Sequence, residues 1–152
     1  MLKLFFTLLG CTLFLSAENA VDYVSSSELH QLAGKLASNS KAKGGFASDT
    51  LAKYGNHLMM LAHREATGSS ELHEKDADIF VVVEGEATLV TGGKLVNSHT
   101  TEPGEERGTS IDGGQSQTLG PGDVIHIHAK TPHQLHVSDG HSFTYFVVKV
   151  KE

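Results

Sequence analysis

The chain has 152 residues, enough for one domain with a substantial hydrophobic core. Its 12 basic and 18 acidic residues give a formal net charge of −6. No basic stripe or aromatic platform interrupts this acidic background, which argues against a nucleic-acid partner. Sixteen glycines indicate many tight turns, and ten histidines are a high count for this length.

Residues 1–17 are predicted to be a secretory signal peptide. Lys3 gives a positive start, an apolar run covers residues 4–15, and the small pair Ser16-Ala17 precedes polar sequence. The run is too short to span a bilayer comfortably, which disfavours an uncleaved anchor. We therefore expect an exported protein, periplasmic or extracellular, with no membrane attachment after cleavage.

The single cysteine, Cys11, lies within this segment. Its surroundings, LLGC, loosely resemble a lipoprotein box, but the apolar run continues past the cysteine, which disfavours lipidation. Cleavage after Ala17 would leave a mature chain without cysteine. Disulfides, thiol catalysis and cysteine-ligated zinc are then excluded together.

Residues 18–45 are predicted to form a short helix and a linker. Three serines ending at Ser27 and followed by Glu28 resemble a helix cap. Apolar residues then recur at helical spacing, namely Leu29, Leu32, Ala33 and Leu36. The segment is therefore expected to be amphipathic.

Residues 46–152 are predicted to form an all-β domain, because short strand-like runs alternate with Gly and Asp turns. The runs are FASDTLAKY, NHLMMLAHRE, DIFVVVEGEATLVTGG, VIHIHA, HQLHVS and SFTYFVVKV, and the third of them has a predicted break at Glu84-Gly85-Glu86. The polar segment of residues 100–110, TTEPGEERGTS, is expected to be an exposed loop. Strands at this spacing indicate a sandwich or a barrel.

Two distant segments carry potential metal ligands. Glu71 and His73 are two residues apart, so on a strand their side chains leave the same face. Asp78 begins the next apolar run, and His133 lies sixty residues after His73. Two imidazoles with one or two carboxylates suit iron, manganese, zinc or nickel, provided a closed sheet brings the segments together.

These segments resemble the two motifs of the cupin superfamily, over roughly residues 54–149. ELHEKDADIFVVVEGEATLV is similar to the first motif, with Glu71 in place of its first histidine, His73 as its second, and Asp78 in place of its glutamate. LGPGDVIHIHAKTPHQL is similar to the second motif and ends on His133. More narrowly, the chain resembles small exported single-domain cupins of bacteria. The resemblance implies a single jelly-roll barrel and a divalent metal bound by these four residues.

Two of the four usual ligands differ from the cupin pattern. Asp78 is one methylene shorter than glutamate, and Glu71 makes the site more anionic and oxygen-rich. The second change moves the metal preference from copper toward iron(II) or manganese. Some cupins have lost their metal, so a metal-free barrel with His73 and His133 lining a cavity is the alternative.

The remaining polar candidates are weaker. His126 and His128 share one face of a strand by period-two geometry. If that face lines the cavity, His126 is a possible acid/base group or supports a ligand; otherwise both are surface residues, which is the expectation for His128. Arg64 is expected to form a salt bridge at the rim, although it has the charge to bind an anionic substrate. His63 belongs to a strand that is apolar on both faces and is expected in the core.

Three functions remain open from the sequence. The first is a metal-dependent cupin enzyme acting on a small oxygen-rich molecule. The second is a metal-free cupin module that binds a small ligand without catalysis. The third is a structural role, in which the barrel forms a homodimer through its edge strands and helix. The sequence does not identify a substrate.

Overall fold

The computed structural model describes residues 21–152, so the predicted signal peptide and Cys11 lie outside the described residues. Within this part of the chain, no helix has the length and apolar character needed to cross a membrane. In residues 21–152, one helix precedes thirteen strands. The elements are α1 Ser26–Lys41, β1 Phe46–Lys53, β2 His57–Arg64, β3 Ser70–His73, β4 Asp76–Gly85, β5 Ala87–Thr91, β6 Lys94–Val96, β7 His99–Glu102, β8 Glu105–Gly108, β9 Ser110–Asp112, β10 Gln115–Leu119, β11 Val124–Ile127, β12 His133–His136 and β13 Phe143–Lys151.

The predicted capped helix is present. The Ser25 hydroxyl accepts a hydrogen bond from the backbone N–H of Glu28, and the Glu28 carboxylate accepts one from the backbone N–H of Ser25. This reciprocal pair satisfies two N–H groups that the first helical turn leaves free. The buried apolar face of α1, at Ala33 and Leu36, packs against β1 and β2. The helix therefore covers one sheet from outside.

Two antiparallel sheets form the predicted jelly-roll barrel. One has the strand order β1-β2-β13-β4-β11, and the other has the order β10-β5-β12-β3-β8-β7. A separate two-stranded ribbon joins β6 and β9. The main core lies between the sheets and includes large side chains from both, among them Phe80, Phe143, Tyr145, Leu89 and Leu135. Alternation along each strand sends one set of side chains into this core and the other set outward.

Gly85 ends β4 at the predicted break between β4 and β5. Its φ of +79° is in the left-handed region, which glycine adopts without a steric penalty. A Cβ atom there would lie 1.9 Å from the backbone oxygen of Ser142. Both the backbone conformation and the close approach to the chain before β13 therefore require glycine.

The expectation of an exposed loop at residues 100–110 is wrong. This segment completes β7 and forms β8, joined by a turn at Pro103-Gly104, and β8 pairs with β3. Polar side chains are compatible with strands at a sheet edge, because the backbone groups are paired while one face meets solvent. The consequence is functional, since β8 brings Glu105 and Arg107 beside Glu71 and His73.

Candidate metal centre

The four predicted ligands come together at one end of the barrel. Glu71 and His73 lie on β3, and His133 begins the neighbouring strand β12, with Glu71 paired opposite His133. Asp78 reaches the same point from β4 in the opposite sheet. The site therefore depends on closure of the barrel, as the sequence pattern required.

The imidazole Nε2 atoms of His73 and His133 face the two carboxylates. His73 Nε2 lies 3.4 Å from an oxygen of Glu71 and 3.4 Å from an oxygen of Asp78. The corresponding distances from His133 Nε2 are 3.9 Å to Glu71 and 3.6 Å to Asp78. The two ring centroids are 5.2 Å apart. These separations are long for hydrogen bonds but suit atoms that share one metal ion.

Both Nε2 atoms are buried and have no hydrogen-bond partner among the residues that the structure describes. The residues themselves are deeply buried, with 2% exposure for His73 and 4% for His133. An unpaired buried polar atom costs on the order of 1–3 kcal/mol, so two such atoms aimed at one point need an explanation. A metal ion at that point would satisfy both.

The outer nitrogen of each imidazole is held by an acceptor. His73 Nδ1 lies 2.6 Å from a carboxylate oxygen of Glu105, and His133 Nδ1 lies 3.0 Å from the backbone oxygen of Thr131. An acceptor at Nδ1 favours the tautomer with the proton on Nδ1, which leaves the Nε2 lone pair free. Metal-binding histidines in proteins commonly have this arrangement.

The pKa values of the ligand side chains are shifted by their burial and by the charged groups around them. Burial opposes the charge on Glu71 and Asp78, but the nearby imidazoles and cationic side chains outweigh it. The pKa of Glu71 is lowered to about 2, and the pKa of Asp78 is held well below its usual range. Burial likewise opposes the charge on His73, yet the carboxylates of Asp78 and Glu71, each 3.4 Å from Nε2, raise its pKa to about 9. Without a metal, His73 therefore carries a proton on both ring nitrogens at neutral pH, and a metal would take the place of the proton on Nε2.

Three basic side chains surround the carboxylates. Arg64 and Arg107 lie 3.6 and 3.8 Å from Glu71, and Lys149 Nζ lies 2.6 Å from Asp78. All three line a cavity of about 500 Å³ that opens beside the ligands. Tyr145 also lines it, and its hydroxyl accepts a hydrogen bond from Arg64 Nε at 3.1 Å.

Of these basic residues, Arg64 was underestimated from the sequence, and Lys149 and Arg107 were missed. Arg64 forms the expected salt bridge, with Glu71, but it lines the cavity because it continues the inward face of β2 after Met60 and Ala62. Lys149 likewise continues the inward face of β13 after Tyr145, so period two contained the signal. Glu105 and Arg107 carried no such signal, because only the pairing of β8 with β3 brings them to the site.

His126 does not line this cavity. Ile125 and Ile127 face the core, whereas His126 and His128 face solvent near Glu152. The alternative role for His126, as an acid/base group or a residue supporting a metal ligand, is therefore wrong for the barrel site. The expectation of a surface position for His128 is confirmed. His63 is buried as expected, with Nδ1 2.8 Å from the Thr144 hydroxyl.

The donor set fits a divalent transition metal. Two neutral imidazoles and two carboxylates are ligands that iron(II), manganese, zinc and nickel accept. Glu71, His73 and His133 each offer a ligand atom within 4.8 Å of the others. Asp78 comes from the opposite sheet, and one of its oxygens lies 3.4 and 3.6 Å from the Nε2 atoms of His73 and His133.

Comparison with solved structures confirms the cupin fold. One similar structure is a cupin superfamily protein from Desulfitobacterium hafniense, with 16% identity, a TM-score of 0.50 and coverage of 70% of this chain and 78% of the other. A second is a protein with a double-stranded β-helix domain from Klebsiella pneumoniae, with 16% identity, a TM-score of 0.52 and coverage of 70% and 77%. A third is the DMSP lyase DddQ from Ruegeria pomeroyi, with 18% identity, a TM-score of 0.51 and coverage of 72% and 49%.

At these identities the likeness concerns the fold alone. No protein-family model matches the sequence, and no curated protein matches it either. The fold is thus that of the double-stranded β-helix, with one helix packed outside and a polar cavity at one end of the barrel.

Proposed function

We propose that this cupin barrel binds one divalent metal through His73, His133, Asp78 and Glu71, and that a small anionic, oxygen-rich molecule binds beside it. The observation that carries the proposal is the convergence of two buried, unpaired Nε2 atoms on two carboxylates. When bound, such an ion supplies Lewis-acid polarisation of a ligand oxygen. Iron, manganese, zinc and nickel all suit the donors.

The charges of the cavity support an anionic ligand. Glu71, Asp78 and Glu105 balance Arg64, Arg107 and Lys149 when both imidazoles are neutral. A divalent ion would leave an excess of two positive charges in a partly enclosed cavity. Two arginines are suited to carboxylate or phosphate groups, because each guanidinium offers paired N–H donors.

Tyr145 and Arg64 are placed to orient such a ligand. The Tyr145 side chain is buried, and burial raises the pKa of its phenol, so the hydroxyl stays protonated. It accepts a hydrogen bond from Arg64 and keeps its own proton available for donation into the cavity. The ligand would thus contact the Arg64 guanidinium and the neutral Tyr145 hydroxyl on the same side of the cavity.

The metal proposal is tested by elemental analysis after reconstitution with iron(II), manganese, zinc or nickel. His133→Ala should abolish binding at the barrel site. His136→Ala is the matched control, because His136 lies on the same strand but is exposed. The proposal fails if the wild type binds no metal, or if His133→Ala binds as much metal as the wild type. A circular dichroism spectrum of each variant separates lost binding from lost folding.

The ligand proposal is tested with malonate and its neutral analogue malonamide as probes on the metal-loaded protein. Malonate should bind and malonamide should not, since only the first carries charge for the arginines. Arg64→Gln should weaken malonate binding about tenfold or more, as expected for loss of a charged hydrogen bond. Lys94→Gln, an exposed charge change outside the cavity, should have no effect. Equal binding of both probes would overturn the anionic assignment.

Ion pairs within the site favour the second candidate function, a metal-free module that binds a small ligand. Lys149 already pairs with Asp78 at 2.6 Å, and protonated His73 fits between Asp78 and Glu71. These ion pairs stabilise the carboxylates without a metal. Malonate binding that survives removal of all metal by a chelator would support this function and count against the metal-dependent one.

Export is a further proposal, and its support is the sequence of residues 1–17 alone. The positive start, the short apolar run and the small residues that end it are typical of a signal peptide. The barrel would then encounter its metal and ligand outside the cytoplasm. Homodimer formation likewise remains a prediction.

A further inference from the structure

A second cluster of metal-binding side chains lies outside the barrel. It consists of His126 on β11, His128 just after that strand, and Glu152 at the end of the described chain. Each offers a ligand atom, and these atoms lie within 4.8 Å of one another. The cluster shares no residue with the barrel site and faces solvent.

The distances within the cluster suit a shared metal better than hydrogen bonds. One carboxylate oxygen of Glu152 lies 3.7 Å from His126 Nε2 and 3.6 Å from His128 Nδ1. Contacts of this length are too long for hydrogen bonds. Ligands about 2.0–2.2 Å from a tetrahedral ion lie roughly 3.3–3.6 Å apart, so small side-chain rotations would close the set.

Backbone contacts hold Glu152 beside the two histidines. Period two on β11 directs His126 and His128 to the same side, and their ring centroids are 4.3 Å apart. The other oxygen of Glu152 accepts a hydrogen bond from the backbone N–H of Ala129 at 3.1 Å. The backbone N–H of Glu152 also donates to the oxygen of Lys75 at 2.8 Å. The carboxylate is therefore held between two imidazoles rather than free in solvent.

From this geometry we propose that His126, His128 and Glu152 form a second, surface metal site, independent of the barrel site. Two imidazoles and one carboxylate select a borderline ion of the zinc, copper or nickel class over calcium or magnesium. The exposure of the cluster leaves at least one coordination position to water or to an external ligand. The site binds metal whether or not the barrel holds one.

The test is calorimetric titration of the full chain with Zn²⁺ alone. The wild type should bind two ions, the His126→Ala/His128→Ala variant one, and His133→Ala one. Glu152→Gln should weaken the surface site about tenfold or more while leaving the barrel site unchanged. The His136→Ala/His141→Ala variant is the control, because it removes two other exposed imidazoles.

The surface proposal is overturned if the His126→Ala/His128→Ala variant binds as much zinc as the wild type, with the same affinity. It is also overturned if the control variant loses as much binding as this variant, since surface histidines would then bind zinc without a defined site. If His133→Ala changes nothing while His126→Ala/His128→Ala removes the only bound ion, the surface site stands and the barrel proposal fails. The three residues are exposed, so their replacement should leave the fold intact, and circular dichroism checks this.

Discussion

Replacement of Glu105 tests how the orientation of His73 contributes to metal binding without removing a ligand. The Glu105 carboxylate lies 2.6 Å from His73 Nδ1 and 3.2 Å from Arg107. It fixes the ring and stabilises the proton on Nδ1. In Glu105→Gln the amide oxygen can still accept that hydrogen bond, so only the charge is lost. In Glu105→Ala the buried Nδ1–H has no acceptor.

The two variants should therefore form a graded series. Loss of a residue that orients a metal-bound histidine typically weakens affinity by about 10- to 100-fold. The Glu105 side chain is 23% exposed, which moderates the effect of its charge. We expect about tenfold weaker binding for Glu105→Gln and about 100-fold for Glu105→Ala. These losses correspond to about 1.4 and 2.7 kcal/mol.

The assay is competition for Zn²⁺ against a chelator of known affinity. All variants are built on His126→Ala/His128→Ala, so that only the barrel site is titrated. Glu106→Ala is the control, because Glu106 is the next residue of β8 and alternation directs it to the opposite face. Affinity within threefold of the parent for Glu105→Ala would refute the proposed orientation of His73. An equal loss of zinc affinity in Glu106→Ala would show that the effect comes from the change in overall charge and not from the contact with His73.

The other predictions concern pH, backbone and processing. Because metal-free His73 has a pKa of about 9, above its ordinary value, zinc must displace its proton. The affinity of the barrel site for zinc should rise by up to about tenfold per pH unit and level off near pH 9. Calorimetry in buffers of different ionisation enthalpy should detect the released proton. A zinc affinity that does not change with pH would contradict this. Gly85→Ala should destabilise the fold by about 3 kcal/mol in urea unfolding, because its Cβ would strike the Ser142 oxygen. Gly92 has a φ of +78° but open space around it, so Gly92→Ala should lower the free energy of unfolding by only about 1 kcal/mol. Equal destabilisation by the two substitutions would mean that the close approach of Gly85 to Ser142 is unimportant. Protein recovered outside the cytoplasm should lack roughly its first 17–20 residues by mass spectrometry, and recovery of a chain that still begins at Met1 would count against export.

Local patterns in the sequence determined the helix and the longer strands of the fold. Alternating residues predicted the strands, and the Ser-Glu cap with apolar residues at helical spacing predicted α1. The break at Gly85 was also visible, because glycine after a long apolar run marks a change of direction. Chemistry and spacing selected Glu71, His73, Asp78 and His133 as candidate ligands before their positions were known.

Other features depended on which strands pair and on which side of the barrel each face lies. Period two placed His126 and His128 together but did not say whether that face pointed inward, because a one-residue change of register exchanges the two faces. The packing of Ile125 and Ile127 in the core decides it and leaves the histidines beside Glu152.

The surroundings of the ligands were decided in the same way. Glu105 is 32 residues from His73, and nothing in the polar sequence around it indicated a strand. Pairing of β8 with β3 brings its carboxylate to Nδ1, and barrel closure brings Lys149 to Asp78. Ligand identity is a property of residue type and local spacing, so the sequence contains it. The groups that orient those ligands and set their ionisation come from distant strands, and only long-range strand pairing brings them to the site.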